Sequence, residues 1–392
     1  MRALPAASIA LFLLFIAAAC AQPAGNVATM PTPVGAPAPA DPQALQSVFG
    51  SYRAADGRIF VIARLGWFFD LRDATYRTIY MGATPSRFTI GPAFAVPLPK
   101  YGDLIFDGTT LTVATANATV RAERAQYRQM DVTIPADGAK LAGAITEPIG
   151  SGPHPGIVVI HGSEPGQRYF YDIWVGIYAS LGLTVLTYDK RGNGSSTGQY
   201  PGEFPTDDSL GIYADDAAAA LGFLRSWPAV DPKRVGFHGG SQGGWTVPLA
   251  IKRHGLAAFA ILVSAPATTV GQTNLWKDFS GGGAFAPTAS AAEMDAAVRA
   301  DHSGYDPTPA VAALQVPTLW LLGSNDRTVP TRICAEILVG MHKPNFTVQM
   351  LPTGHGLLVN PTGLNADDSR SPGLAPELVP AITSWLQASL VS

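Results

Sequence analysis

The run Gly239-Gly240-Ser241-Gln242-Gly243-Gly244 surrounds one serine with glycines. A G-x-S-x-G segment between a strand and a helix makes a sharp turn in which the neighbours must be small, and the turn lifts the hydroxyl out of the backbone. Residues 234–238 read as a strand and residues 242–254 as a helix, so Ser241 has that context. The Gln242 amide then opens a helix, where an unpaired N–H can stabilise a developing oxyanion. A serine hydroxyl is a weak nucleophile until a base takes its proton, and the base needs an orienting carboxylate. Two later loops offer these groups. Asp326 closes Gly323-Ser324-Asn325-Asp326 after the apolar run at 318–322, and His355 sits in Thr353-Gly354-His355-Gly356 after the run at 346–351. The chemistry expected of the three is acyl transfer, with Ser241 attacking, His355 as base and Asp326 holding the imidazole. Among the other histidines, His154 precedes the sheet core and His254 and His342 lie at helix ends. His302 is the rival base, because it lies in a stretch that breaks the local pattern.

The elements that must position these residues alternate. Short apolar runs at 156–160, 183–188, 234–238, 258–263, 316–322 and 346–351 are separated by helical stretches at 169–181, 208–227, 242–254, 331–341 and 376–390. Wholly apolar short runs are strands covered on both faces, and strand–helix alternation predicts a mainly parallel sheet with helices on both sides. The hairpin signal Asp137-Gly138 opens this region, which is expected to run over 128–392. Residues 267–315 interrupt the alternation and read as a short cap over the carboxyl edge of the sheet, or as a surface excursion. His161-Gly162-Ser163 follows the first buried strand, in the loop that supplies a second oxyanion N–H in this architecture, from Ser163 or Gly162. His161 reads as structural.

Together these segments resemble the α/β-hydrolase serine esterases, including the group related to serine aminopeptidases. The resemblance is carried by His161-Gly162-Ser163, by Tyr188-Asp189-Lys190-Arg191-Gly192-Asn193-Gly194-Ser195-Ser196-Thr197-Gly198, by the glycine-flanked Ser241, and by the late Asp326 and His355 loops. It covers the chain from about residue 130 onward and implies an α/β-hydrolase fold and ester or amide hydrolysis without a cofactor. The order Ser, Asp, His is the one that this fold uses. One departure is Glu164-Pro165 after Ser163, where the family often has glycine: a carboxylate there would disfavour anionic acyl groups or point to solvent. In the 189–198 loop, Arg191 is expected to tie down carboxylates.

The N-terminal third reads differently. Arg2 and the apolar stretch at 9–19 form an export leader over 1–21, too short to span a bilayer comfortably. Ala17-Ala18-Ala19-Cys20 looks like a lipobox that would acylate Cys20; Ala19-Cys20-Ala21 also fits cleavage before Gln22. An Ala- and Pro-rich linker is expected over 22–45. Residues 46–127 read as a small antiparallel β domain, with Asp56-Gly57 and Asp107-Gly108 as hairpin turns and aromatics that either pack or bind. Cys334 is expected to be a buried thiol. Hydrophobic residues make up 47% of the 392 and charged ones 14%, enough for a large core, and with a net charge of −3 and no basic run, nucleic acid is not an expected partner. The expected activity is hydrolysis of a small carboxylic ester through an acyl-enzyme, with no metal or cofactor, in a protein exported to a bacterial periplasm, lipid-anchored or free. The alternatives are a serine peptidase, in which Glu164 or Glu203 would clamp an amine, and a catalytically silent binding protein.

Overall fold

The computed structural model describes residues 36–84 and 86–391. The leader, Cys20 and the linker as far as residue 35 lie outside them.

Eight strands form a closed antiparallel barrel: β1 (Gly50–Ala54), β2 (Ile59–Ala63), β3 (Trp67–Asp70), β4 (Thr75–Thr84), β5 (Arg87–Ile90), β6 (Gly102–Asp107), β7 (Thr110–Thr115) and β8 (Thr119–Arg124). Closure is made by β8 pairing back onto β1, which leaves no free edge. Asp56-Gly57 and Asp107-Gly108 are the expected turns, with both glycines at positive φ. The barrel interior is filled by Tyr52, Phe60, Phe68, Phe88, Leu104 and Leu111. The linker expected over 22–45 ends earlier. Ala40 N–H donates to Ile79 O at 2.8 Å, and Asp41 caps a one-turn helix, α1 (Pro42–Leu45). The physical reason is Leu45, the large apolar residue of that turn, which is fully buried in the barrel cluster.

A second eight-stranded sheet has the order β16-β15-β14-β13-β11-β12-β10-β9. Its strands are β9 (Tyr127–Ala136), β10 (Ala139–Pro148), β11 (His154–Ile160), β12 (Thr184–Tyr188), β13 (Val230–Gly240), β14 (Ala260–Val263), β15 (Thr318–Gly323) and β16 (Phe346–Leu351). The β9–β10 hairpin is antiparallel; β11 to β16 run parallel. Alternate residues of one strand serve opposite cores. Val158 and Ile160 face α3 (Asp207–Arg225), α4 (Gly243–His254) and α8 (Thr331–Gly340), whereas Ile157 and Val159 face α2 (Asp172–Ser180) and α10 (Leu378–Val391). That two-sided burial is why β11 reads as an unbroken apolar run. Cys334 on α8 is a buried free thiol.

The barrel does not hang from the sheet. Val61, Ala63, Trp67, Phe69 and Tyr76 on its outer face share a core with α2, α10 and the sheet. Of the two readings of the barrel aromatics, packing is the one these contacts satisfy. Between β14 and β15 the interruption is helical: α5 (Val270–Ser280), a 3-10 turn (Gly281–Gly283), α6 (Ala291–Ala300) and α7 (Thr308–Ala313). A short α9 (Asn365–Arg370) follows the His355 loop. Among the described residues no helix is long and apolar enough to cross a membrane.

Candidate active site

The serine turn is built as its sequence requires. β13 ends with Gly239 and Gly240 paired to Leu262 and Val263 of β14. Ser241 then takes φ 50°, a conformation few non-glycine residues adopt, held by its N–H to Val263 O at 3.2 Å and by Gly244 N–H to its own carbonyl at 2.7 Å. The flanking glycines are steric necessities. A Cβ on Gly239 would lie 2.9 Å from Gly243 O, and one on Gly244 would lie 2.5 Å from Ala265 Cβ. Gln242 caps α4.

Asp326 and His355 are brought together from the ends of β15 and β16. Asp326 is 2% exposed; its Oδ1 accepts from Thr328 N–H at 2.7 Å and Val329 N–H at 2.8 Å, and its Oδ2 lies 2.8 Å from His355 Nδ1. Burial works against a charged His355 ring, but the charge and hydrogen bond of Asp326 outweigh it, with Asp368 acting in the same sense, and the imidazole pKa is raised above its ordinary value. The elbow and the histidine loop meet at the end of β14. Val263 O receives Ser241 N–H, and the next residue, Ser264, donates its hydroxyl to His355 O at 2.7 Å. The insertion braces the acid loop: Trp276 Nε1 donates to Asp326 O at 3.1 Å, and Ser280 Oγ to Arg327 O at 2.5 Å. His302 is exposed, and the histidine that Asp326 holds is His355.

The loop after β11 lies against the elbow, since a Cβ on Gly162 would stand 3.7 Å from Ser241 Cβ. One expectation is corrected here. The Gly162 N–H is not free for an oxyanion, because it donates to Tyr171 Oη at 2.8 Å. The sequence missed this because Tyr171 reaches back from the start of α2. Tyr171 Oη also hydrogen-bonds Glu164, so the carboxylate of Glu164 is tied to its own loop. Ser163 remains as the second candidate donor. His161 is buried and hydrogen-bonds Tyr188 O through Nε2 at 2.5 Å; burial, seconded by Lys190, pushes its pKa down to about 3, which suits a neutral structural ring. Arg191 does tie down a carboxylate, making a two-pronged pair with Asp216 at 2.9 and 2.5 Å.

Sequence reasoning assigned no role to three further residues at the site. Lys190 is buried, and its ammonium reaches the Gly162 and Glu164 carbonyls and Gln242 Oε1. Burial lowers its pKa to about 8, against the opposing charges of Glu164 and Glu203. Asp368 accepts from Asn360 Nδ2 at 2.7 Å, and a Cβ on Gly354 would come within 3.2 Å of its Oδ1, so it backs the His355 loop. Burial raises its pKa to about 6. His238, just before the elbow, is buried with Nδ1 2.8 Å from Tyr178 Oη, and burial pushes its pKa down to about 3. Among the described residues no group of three or more His, Cys, Asp or Glu is arranged to hold a metal ion.

Comparison with known proteins points the same way. A model of the prolyl oligopeptidase family matches residues 171–357, a span that contains Ser241, Asp326 and His355 and excludes the barrel. An uncharacterized protein of Mycobacterium tuberculosis is 26% identical over 220 residues, 56% of this chain and 69% of that one. An esterase of Thermotoga maritima is 40% identical over 73 residues, 17% of this chain and 16% of that one. Among solved structures, an esterase of Pyrococcus furiosus superposes with TM-score 0.50 at 18% identity, covering 68% of this chain and 92% of that one. With its mainly parallel sheet, its serine turn after β13 and these likenesses, the chain has the α/β-hydrolase fold, and over residues 171–357 it is similar to the prolyl oligopeptidase family, which supports a hydrolase.

Proposed function

We propose that this chain hydrolyses carboxylic esters through a Ser241–His355–Asp326 triad and an acyl-enzyme. The observation that carries the reading is the 2.8 Å contact of Asp326 Oδ2 with His355 Nδ1, which leaves Nε2 as the ring nitrogen free to serve Ser241 on the adjoining elbow. Ser241 Oγ attacks the ester carbonyl as His355 Nε2 takes its proton; Asp326 fixes the tautomer and stabilises the imidazolium. The N–H groups of Gln242 and Ser163 receive the oxyanion. His355 then protonates the leaving alkoxide, and water, deprotonated by the same nitrogen, releases the acid and restores Ser241. Ester cleavage is favoured over amide cleavage because Glu164, one of the two carboxylates that could clamp an amine, is engaged by Tyr171. The names of the Thermotoga and Pyrococcus relatives agree with it. The prolyl oligopeptidase match supports peptide cleavage as the second reading.

A fluorophosphonate probe should label the wild type and leave Ser241→Ala unlabelled; equal labelling of both would sink the assignment. A panel of p-nitrophenyl esters set against aminoacyl anilides decides between ester and peptide. The substrate is proposed to be a small ester met outside the cytoplasm, by a protein tethered through an acylated Cys20 or released by cleavage before Gln22. Mass spectrometry of the mature N-terminus distinguishes the two.

A further inference from the structure

Lys190 follows β12 and turns its ammonium under the ends of two neighbouring strands. Its three N–H groups are all used: Nζ donates to Gly162 O at 2.7 Å, Glu164 O at 3.1 Å and Gln242 Oε1 at 3.2 Å. The residue is 4% exposed, and these three partners are neutral carbonyl oxygens. Burying an ammonium whose hydrogen-bond partners are all neutral is costly, a cost that the charges of Glu164 and Glu203 and the Tyr213 ring 4.5 Å from Nζ offset in part. What sets this lysine apart is the three carbonyl oxygens, from two separate strand ends, that it holds together.

The three bonds share a consequence. In a planar trans peptide the C=O and the following N–H point in opposite directions. Holding Gly162 O against Lys190 turns the Ser163 N–H away from Lys190. A cation on that carbonyl also draws density out of the shared amide and strengthens its N–H as a donor. The same peptide lies beside the nucleophile, where a Cβ on Gly162 would be 3.7 Å from Ser241 Cβ. The bond to Glu164 O fixes the loop on the far side of Ser163, and the bond to Gln242 Oε1 reaches the residue that opens α4.

We propose that Lys190 is a positioning residue that aligns the Ser163 and Gln242 amides, on separate strand ends, as one oxyanion hole. The inference rests on the ester-hydrolase reading of the site. It makes the Asp189–Gly198 loop, which the sequence alone left structural, part of the catalytic machinery.

The test compares Lys190→Met with the wild type on a matched oxygen ester and thionoester having the same acyl and leaving groups. Sulfur is larger than oxygen and a weak acceptor, so an aligned hole favours the ester. On the oxygen ester, Lys190→Met should lose about 10–100-fold in kcat with KM within about threefold. The thionoester should lose much less, so that the ester-to-thionoester ratio collapses by at least about fivefold. Lys190→Gln, which keeps two donors without the charge, should fall between, and it carries the same comparison if the methionine variant does not fold. Equal losses on both substrates, or no loss on either, would overturn the proposal while leaving the ester-hydrolase reading intact. A wild type that neither cleaves esters nor reacts with a fluorophosphonate would instead overturn the reading, and this inference with it.

Discussion

Tyr171 Oη accepts the Gly162 N–H at 2.8 Å and hydrogen-bonds the carboxylate of Glu164, so one phenol closes the loop that borders the serine turn. Burial, with the Glu164 charge beside it, raises the pKa of the phenol well above its ordinary value, so it stays protonated and donates to the carboxylate. Tyr171→Phe would leave both the amide and the carboxylate without their partner, a loss of about 1–2 kcal/mol of loop order. Turnover of an ester should fall about tenfold, KM should move less, and steady-state kinetics on one p-nitrophenyl ester will show it. An unchanged rate would mean that the loop keeps its shape without the phenol.

A second consequence concerns pH. The raised pKa of His355 means that the base becomes available only as pH rises through a value above the ordinary histidine range, near 6.5. The sign for stability is the reverse: the contribution of protonated His355 is complete below the unfolded value and is lost as pH rises through the folded one. Asp326→Asn should lower kcat by about 10³–10⁴-fold with the fold intact. Asp368→Asn should instead keep most of the activity and move the acid limb of kcat to lower pH, because it removes the more distant of the two charges that favour the imidazolium. A pH–rate profile of that variant superimposable on the wild type would show that Asp368 does not act on His355.

These residues mark where the sequence was legible. Ser241, Asp326 and His355 stood out because glycine-flanked turns at the ends of apolar runs are local patterns, set by sterics within a few residues. The parallel sheet was legible for the same reason: two-sided burial prints an unbroken apolar run, as at 156–160. Closure of the barrel was not, because the pairing of β8 with β1 joins residues some 70 apart and leaves no mark on either strand. Nor were Tyr171, Lys190 and Asp368, whose roles depend on where a long side chain or a later helix lands in three dimensions. Gly162 shows the limit best. Its place in the loop suggested a free amide, and only the return of Tyr171 from α2 reveals that the amide is taken.

Arg191 and Asp216 are an internal brace rather than a surface pair, with side chains 11% and 3% exposed. Burial raises the pKa of Asp216 while the guanidinium opposes it, so the carboxylate depends on its partner to remain charged. Asp216→Ala would strand a buried guanidinium and should cost about 3 kcal/mol, measured as a fall in denaturant midpoint with unchanged m-value. Replacing both residues with apolar ones should be milder than removing the aspartate alone.

The barrel should matter to turnover although it holds none of the catalytic candidates. Phe94 and Ala95 donate backbone N–H bonds to Ser371 O and Ser369 O, both at 2.8 Å, and Ala74 O receives Leu374 N–H at 2.9 Å. From there Val359 N–H bonds Gly373 O, Ala375 N–H bonds Leu357 O, and Gly354 N–H bonds Leu358 O, which reaches the His355 loop. The barrel is seated on α2 at Gly176, where a Cβ would come within 2.6 Å of both Val61 methyl groups. Val61 is β-branched and lies within a paired strand, so it cannot swing aside. Gly176→Ala should therefore overpack the seam by about 1–3 kcal/mol and lower the melting temperature by several degrees. Ester turnover should fall with it as the support of the 369–375 segment loosens. Combining it with Val61→Ala, which removes the obstructing methyls, should recover more than half of the lost stability and rate. If the double variant is as impaired as the sum of its parts, the two residues are not coupled, and the barrel does not act on the site through this seam.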